Sequence, residues 1–226
     1  MKAALRKEQT KARYSKGWVP FNSDLPRIET ILRLVGKNKR VLDIGCYDGH
    51  IAERLLNNGN QVYGVDSSPQ AVKLACTKGI KAVSADIEED VFPFAERFFD
   101  CIVAAEIIEH LFDTDAFLEK IKRLLVDRGE LIITTPNLAT FGRRLMLLLG
   151  KNPLIEVSSQ GDAGGHIRYF VKESLFGLLK EHGFSIEIFT SDVINFNNQG
   201  DLFWRWPARL FPSLGKSLIV KARVLS

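Results

Sequence analysis

Cysteine is scarce: Cys46, Cys76 and Cys101 are the only three in 226 residues. Thiols so few and so scattered exclude a disulfide framework and a zinc knuckle, and a reducing, cytoplasmic setting is the expectation. Long apolar runs are also missing. The densest cluster, Leu145 to Leu149, is far short of the ~20 residues that cross a bilayer, and residues 1–16 contain no apolar stretch of signal-peptide length. A soluble protein, at most peripheral to a membrane, is expected. Repeats and low-complexity tracts are absent, and a hydrophobic fraction of 46% beside 26% charged residues removes the disordered, collagen-like and fibrous classes.

A large excess of one charge is lacking as well. The net charge of +4 divides into +5 on residues 1–16, +4 on residues 201–226 and −5 on the body between them. Nucleic-acid binding needs a basic stripe beside the active region, so an acidic body argues against that partner.

The sequence does show alternation. Apolar residues Leu25, Ile28, Ile31, Leu32 and Val35 recur at helical spacing from Asp24 to Val35. A short apolar run, Val41 to Ile44, is then broken by Gly45 and Gly49 and followed by a helical stretch, His50 to Leu56. The pattern continues with strand Gln61–Val65, a helix from Pro69 to about Lys78, strands Ala82–Ser84 and Asp100–Ala104, helix Thr114–Val126 and strand Glu130–Thr134. Helices follow at Phe141–Leu149 and Lys172–His182, with strands Phe184–Phe189 and Ser217–Val224. Continuous apolar strands alternating with helices predict an α/β doubly wound domain, its sheet covered on both faces.

In such a sheet the ligand lies beyond the carboxyl ends of the strands, which places the loop Gly45-Cys46-Tyr47-Asp48-Gly49 at the centre. Asp66 ends the second strand, where a carboxylate can take both hydroxyls of a ribose, and Asp86 with Ile87 ends the third. A nicotinamide dehydrogenase would place G-x-G-x-x-G here; this chain does not have it. Taken together, Val41–Gly49, Val62–Asp66, Ser84–Ile87, Phe99–His110 and Gly129–Asn137 resemble the ordered motifs of the class I S-adenosylmethionine-dependent methyltransferases.

The resemblance implies a Rossmann-like seven-stranded mixed sheet in the order 3-2-1-4-5-7-6 with the last strand antiparallel. It also implies S-adenosylmethionine as cofactor, held by Asp43, Gly45, Cys46, Tyr47 and Gly49 at the methionine end, Asp66 and Ser67 at the ribose, and Asp86 and Ile87 at the adenine. Glu106 would border both cofactor and acceptor. Many members have glycine where this chain has Tyr47, and that departure supports the rival reading, a non-catalytic cofactor-binding or scaffold protein of the same fold.

Methyl transfer to a hydroxyl requires removal of its proton or a lowered pKa. Glu106, Glu109 and His110 fall on one face if their segment is helical, and His166 in Gly165-His166-Ile167-Arg168 is a fourth candidate. Three readings stay open: a divalent metal ion on Glu106, Glu109, His110 and His166; His110, with Glu106 and His166, acting on the acceptor without one; or a purely structural role for the histidines. The Glu-x-x-Glu-His pattern is similar to that of ubiquinone-biosynthesis O-methyltransferases and small-RNA 2′-O-methyltransferases. His50 and His182 read as residues at helix ends.

The expected organisation is a basic arm over 1–23 and a single domain over 24–226, with acceptor-lid insertions around 138–170 and 195–215. Aromatic and aliphatic residues of those insertions (Phe141, Leu145, Leu148, Trp204, Trp206) interleave with Arg143, Arg144, Arg205 and Arg209. They fit core or homodimer contacts, a peripheral membrane contact, or a pocket for a small or lipid-linked acceptor.

Overall fold

The computed structural model describes residues 24–153, 165–195 and 203–225. The basic arm, most of the glycine-rich loop Ser158–Gly165 and the start of the second lid insertion lie outside them. Helix α1 (Leu25–Val35) leads into β1 (Arg40–Ile44), α2 (His50–Asn57), β2 (Gln61–Asp66), α3 (Pro69–Thr77), β3 (Lys81–Ser84) and β4 (Phe99–Ala105). A three-residue 3-10 turn (Ile108–His110) precedes α4 (Thr114–Leu124), β5 (Leu125–Pro136), α5 (Phe141–Leu148), α6 (Lys172–Glu181) and β6 (Phe184–Thr190). Last come α7 (Trp206–Leu210) and β7 (Ser217–Val224).

The sheet order is 3-2-1-4-5-7-6, with β7 antiparallel to both β5 and β6. The central strands β1, β4, β5 and β7 bury both faces, so neighbours along β1 point to opposite cores. Leu42 and Ile44 meet Phe117, Leu118 and Ile121 of α4 and Leu175 and Leu179 of α6. Val41 faces the other core, formed by Ile28 and Ile31 of α1 and Ile51 and Leu55 of α2. This double burial explains why the strands read as continuous apolar runs.

Most boundaries shift by a residue or two from the sequence reading, and the largest shift falls where α4 meets β5. Helix α4 stops at Leu124 rather than Val126, and β5 starts at Leu125 rather than Glu130, because Leu125 already pairs with Phe99 of β4. The chain then bends at Arg128, whose φ is 60°. Helix α5 buries none of its residues; Phe141, Leu145, Leu147 and Leu148 are exposed.

His182 ends α6 as expected, and it also ties that helix to α4: Nδ1 is 3.0 Å from Glu119 Oε1 and Nε2 is 2.8 Å from Asp115 Oδ1. Glu119, aided by Asp115, holds the imidazolium above its ordinary pKa against partial burial, and His182 in turn lowers both carboxylates. The histidine's contribution to stability is therefore complete below about pH 6.5 and is lost as pH rises through the elevated folded-state value. His182→Gln is expected to lower the urea midpoint at pH 5.5 and to leave it unchanged at pH 8.5. Equal losses at the two pH values would refute the assignment.

Candidate active site

Strand β1 ends at Asp43-Ile44, and the chain then turns through two left-handed glycines. Gly45 has φ 73°, and a Cβ there would lie 2.2 Å from Ile107 Cδ1. Its N–H and that of Cys46 both donate to the Val65 carbonyl, at 2.8 and 3.0 Å, which binds the loop to the end of β2. Gly49, at φ 80°, is needed for packing: a Cβ would approach Ile80 Cδ1 to 2.4 Å where α2 meets the end of α3. Cys46 is buried, its Sγ lodged against Gly64, and burial pushes its thiol pKa upward. Only its backbone remains available to a ligand.

Tyr47 takes the left-handed conformation (φ 48°) without being glycine, and its N–H donates to Asp66 Oδ2 at 2.9 Å. The other Asp66 oxygen accepts from Ser68 N–H at 2.9 Å, so one carboxylate joins the loop to the start of α3. Burial raises the Asp66 pKa, and these two donors oppose the rise. Ser67 stands exposed between them. Ala85 N–H donates to the Asp66 carbonyl, which brings the third strand end alongside. There Asp86 Oδ1 accepts from Glu88 and Glu89 N–H, and the Ile87 carbonyl accepts from Lys120 Nζ at 2.6 Å.

Asp43 is the most unusual of these groups. It is 2% exposed and its Oδ2 has no hydrogen-bond partner among the described residues. Burial, with the Asp66 charge nearby, pushes its pKa up to about 8. A buried carboxylate oxygen left unpaired is costly, and an ammonium arriving at the loop would satisfy it.

Beyond β4 the expected helical face does not form. Glu106 has φ 59°, and the following turn is a single 3-10 winding. Glu106 consequently points away from Glu109. Its Oε2 is 2.8 Å from Arg27 Nη1, and its Oε1 accepts from Thr134 Oγ1 at 2.9 Å. With both oxygens engaged, Glu106 stands outside the group it was expected to form with Glu109, His110 and His166.

Glu109, His110 and His166 do converge, their ligand atoms all within 4.8 Å of one another. Glu109 is 1% exposed; its Oε2 accepts from Thr135 Oγ1 at 3.0 Å, while Oε1 has no hydrogen-bond partner among the described residues and lies 4.0 Å from Nε2 of each histidine. Burial, reinforced by the Glu106 charge, raises the Glu109 pKa well above the usual carboxylate range. The two rings are 4.9 Å apart, and His110 Nδ1 is 3.2 Å from the Gly165 carbonyl. The segment carrying His166 is clipped in place: Ile167 and Arg168 N–H both donate to the Glu109 carbonyl, and Arg168 donates from its side chain to the Leu111 and Phe112 carbonyls. His50 sits at the start of α2 with Nδ1 3.2 Å from Asp48 Oδ1, and burial lowers its pKa.

Arg27 was not among the expected residues. It lies on the buried side of α1 with Ile28 and Ile31, is 8% exposed, and leaves Nε without a partner among the described residues. Burial disfavours its charge, but Glu106, Asp24 and Asp192 together hold the guanidinium above its ordinary pKa. A charged residue next to Ile28 and four before Ile31 was a visible clue, since that position faces inward on a helix.

The family model for a methyltransferase domain matches residues 22–187. The mitochondrial ubiquinone biosynthesis O-methyltransferase of Homo sapiens is 28% identical over 179 residues, 74% of this chain and 46% of that protein. The ubiquinone biosynthesis O-methyltransferase of Xanthomonas oryzae is 34% identical over 103 residues, 43% of each chain. The chain thus spans about half the length of these curated relatives. The 1,6-didemethyltoxoflavin-N1-methyltransferase of Burkholderia thailandensis, solved with S-adenosylhomocysteine, superposes with a TM-score of 0.69 at 18% identity, covering 99% of this chain and 89% of that one. With the domain match over residues 22–187 and this sheet order, the chain belongs to the methyltransferase domain family and has the fold of its class I S-adenosylmethionine-dependent members.

Proposed function

We propose that the chain is an S-adenosylmethionine-dependent O-methyltransferase acting on a small or lipid-linked acceptor, with a divalent cation held by Glu109, His110 and His166. The observation that carries this reading is the buried, unpartnered Glu109 oxygen facing two imidazole nitrogens at 4.0 Å. One carboxylate and two imidazoles are the donor set of a borderline divalent ion that keeps an open position for substrate. Such an ion lowers the pKa of a bound hydroxyl; the similarity to ubiquinone biosynthesis O-methyltransferases supports oxygen as the accepting atom.

The cofactor, as a sulfonium, supplies the methyl group for in-line displacement. The chain's own residues align it. Asp43 takes the methionine ammonium through its free oxygen, and Arg27 offers its unpartnered Nε to the methionine carboxylate. Asp66 takes the ribose, and Asp86 with Ile87 borders the adenine. Glu106, clamped by Arg27 and Thr134, keeps Arg27 oriented.

Incubation with methyl-labelled S-adenosylmethionine and fractionated lipid, sugar and RNA extracts is expected to label an alkali-stable ether in the lipid or small-molecule fraction, and a chelator should abolish it. Labelling that ignores the chelator would return the proton-removing role to His110 alone. Asp66→Ala is expected to weaken S-adenosylhomocysteine binding by about 10- to 100-fold in calorimetry, since two charge-assisted hydrogen bonds to the ribose would be lost. Unchanged affinity would remove Asp66 from the cofactor site.

A further inference from the structure

A cavity of about 230 Å3 opens between α1 and the chain around α7, away from the glycine loop; Glu29, Arg33, Ser191, Asp192, Arg205 and Arg209 are part of its lining. Its volume is below the ~300–1,000 Å3 that encloses a whole ligand, so it suits one group of a larger molecule. Three guanidiniums meet there. Arg205 is paired with Glu29 at 3.1 Å, whereas Arg33 and Arg209 have no ion pair among the described residues. The Asp192 carboxylate is already satisfied: it accepts from Ser191 Oγ, Val193 N–H, and both N–H and Oγ of Ser217. It is 4% exposed, and Ser191 2%, which gives the cavity a buried wall behind the exposed arginine side chains.

We propose that this cavity is an oxyanion subsite that takes a phosphate or diphosphate ester group of the methyl acceptor, with Arg33 and Arg209 as its principal contacts. Two uncommitted guanidiniums from separate elements match the several oxygens of a phosphate better than a single carboxylate, which one fork satisfies. The position is apt for an acceptor. Arg27 lies between the cavity and the candidate active site: its guanidinium binds Glu106 and feels the Asp192 charge. Beside the cavity mouth, Trp206, Leu210 and Phe211 are exposed, offering an apolar track for the remainder of an amphipathic acceptor. The assignment to the acceptor rests on the O-methyltransferase reading; anion binding itself does not.

The test titrates the full chain with inorganic pyrophosphate in a calorimeter and, in parallel, floats it with vesicles of phosphatidylcholine alone or mixed with phosphatidylglycerol. Saturable pyrophosphate binding is expected, weakened about tenfold by Arg33→Gln and by Arg209→Gln, and untouched by Arg97→Gln, which removes the same charge from a remote exposed position. Vesicle binding that needs phosphatidylglycerol and is lost in the same two variants, without pyrophosphate binding, identifies a lipid headgroup as the source of the phosphate. Absence of both, or binding that survives the two substitutions, overturns the subsite. S-adenosylhomocysteine affinity, measured on every variant, should stay constant and reports folding. If wild-type protein binds pyrophosphate but not S-adenosylhomocysteine, the methyltransferase reading fails while the subsite stands.

Discussion

Glu109→Gln is expected to reduce methyl transfer by about 10²–10⁴-fold while S-adenosylhomocysteine binds within a factor of about two of wild type. The substitution keeps the size of the side chain and its contact with Thr135 Oγ1. With the amide oxygen kept on Thr135, an uncharged NH2 donor replaces the carboxylate oxygen that faces His110 and His166. A neutral amide is a poor ligand for a divalent ion, so calorimetric titration with Zn2+ or Mn2+ should lose its high-affinity phase in the same variant. His166→Ala should behave alike. If Glu109→Gln keeps activity within about threefold, the three-residue group has no part in catalysis. If activity falls but wild type neither binds an ion nor responds to a chelator, Glu109 positions His110 as a base, and the metal reading is abandoned.

Arg27→Leu should weaken S-adenosylmethionine binding by about tenfold or more and lower the stability of the fold. Breaking a buried pair by removing one partner costs about 3–5 kcal/mol; Glu106 keeps 26% side-chain exposure and can rehydrate in part, so about 2 kcal/mol is expected. For a domain of this size that is about 4–8 °C in Tm. The double variant Arg27→Leu/Glu106→Gln separates the two effects. It should recover most of the stability, because no buried charge is left unpaired, but none of the affinity. Recovery of both would make Arg27 a structural partner of Glu106 and nothing more.

The sheet was legible because burial on both faces leaves its mark on consecutive residues. Val41 to Ile44 and Cys101 to Ala104 had to be apolar almost throughout, and no other arrangement of short apolar strands and helices explains that pattern as simply. The loop was legible for a different reason: Gly45 sits at φ 73° against Ile107, and a side chain there is excluded. Glu106 was not readable in the same way. Spacing alone placed it one helical turn from His110, but a left-handed residue at position 106 and a turn of only three residues reoriented it towards Arg27. Arg27 escaped notice because a charged side chain between apolar ones is ordinarily solvated, and its partner is 79 positions away in sequence. The approach of His166 to Glu109 depends on backbone hydrogen bonds from Ile167 and Arg168, and nothing in residue types announces those.

That backbone clip has an evolutionary side. Because the segment around His166 is fastened to the Glu109–Phe112 stretch and Pro136 is held in the sheet, the insertion after β5 is anchored at both ends. Changing the length of such a loop is inexpensive, each doubling adding only about 0.6 kcal/mol to its closure. The insertion after β5 can therefore lengthen, shorten or change its residues without displacing either histidine. New acceptors could be accommodated there while the reacting groups stay where they are.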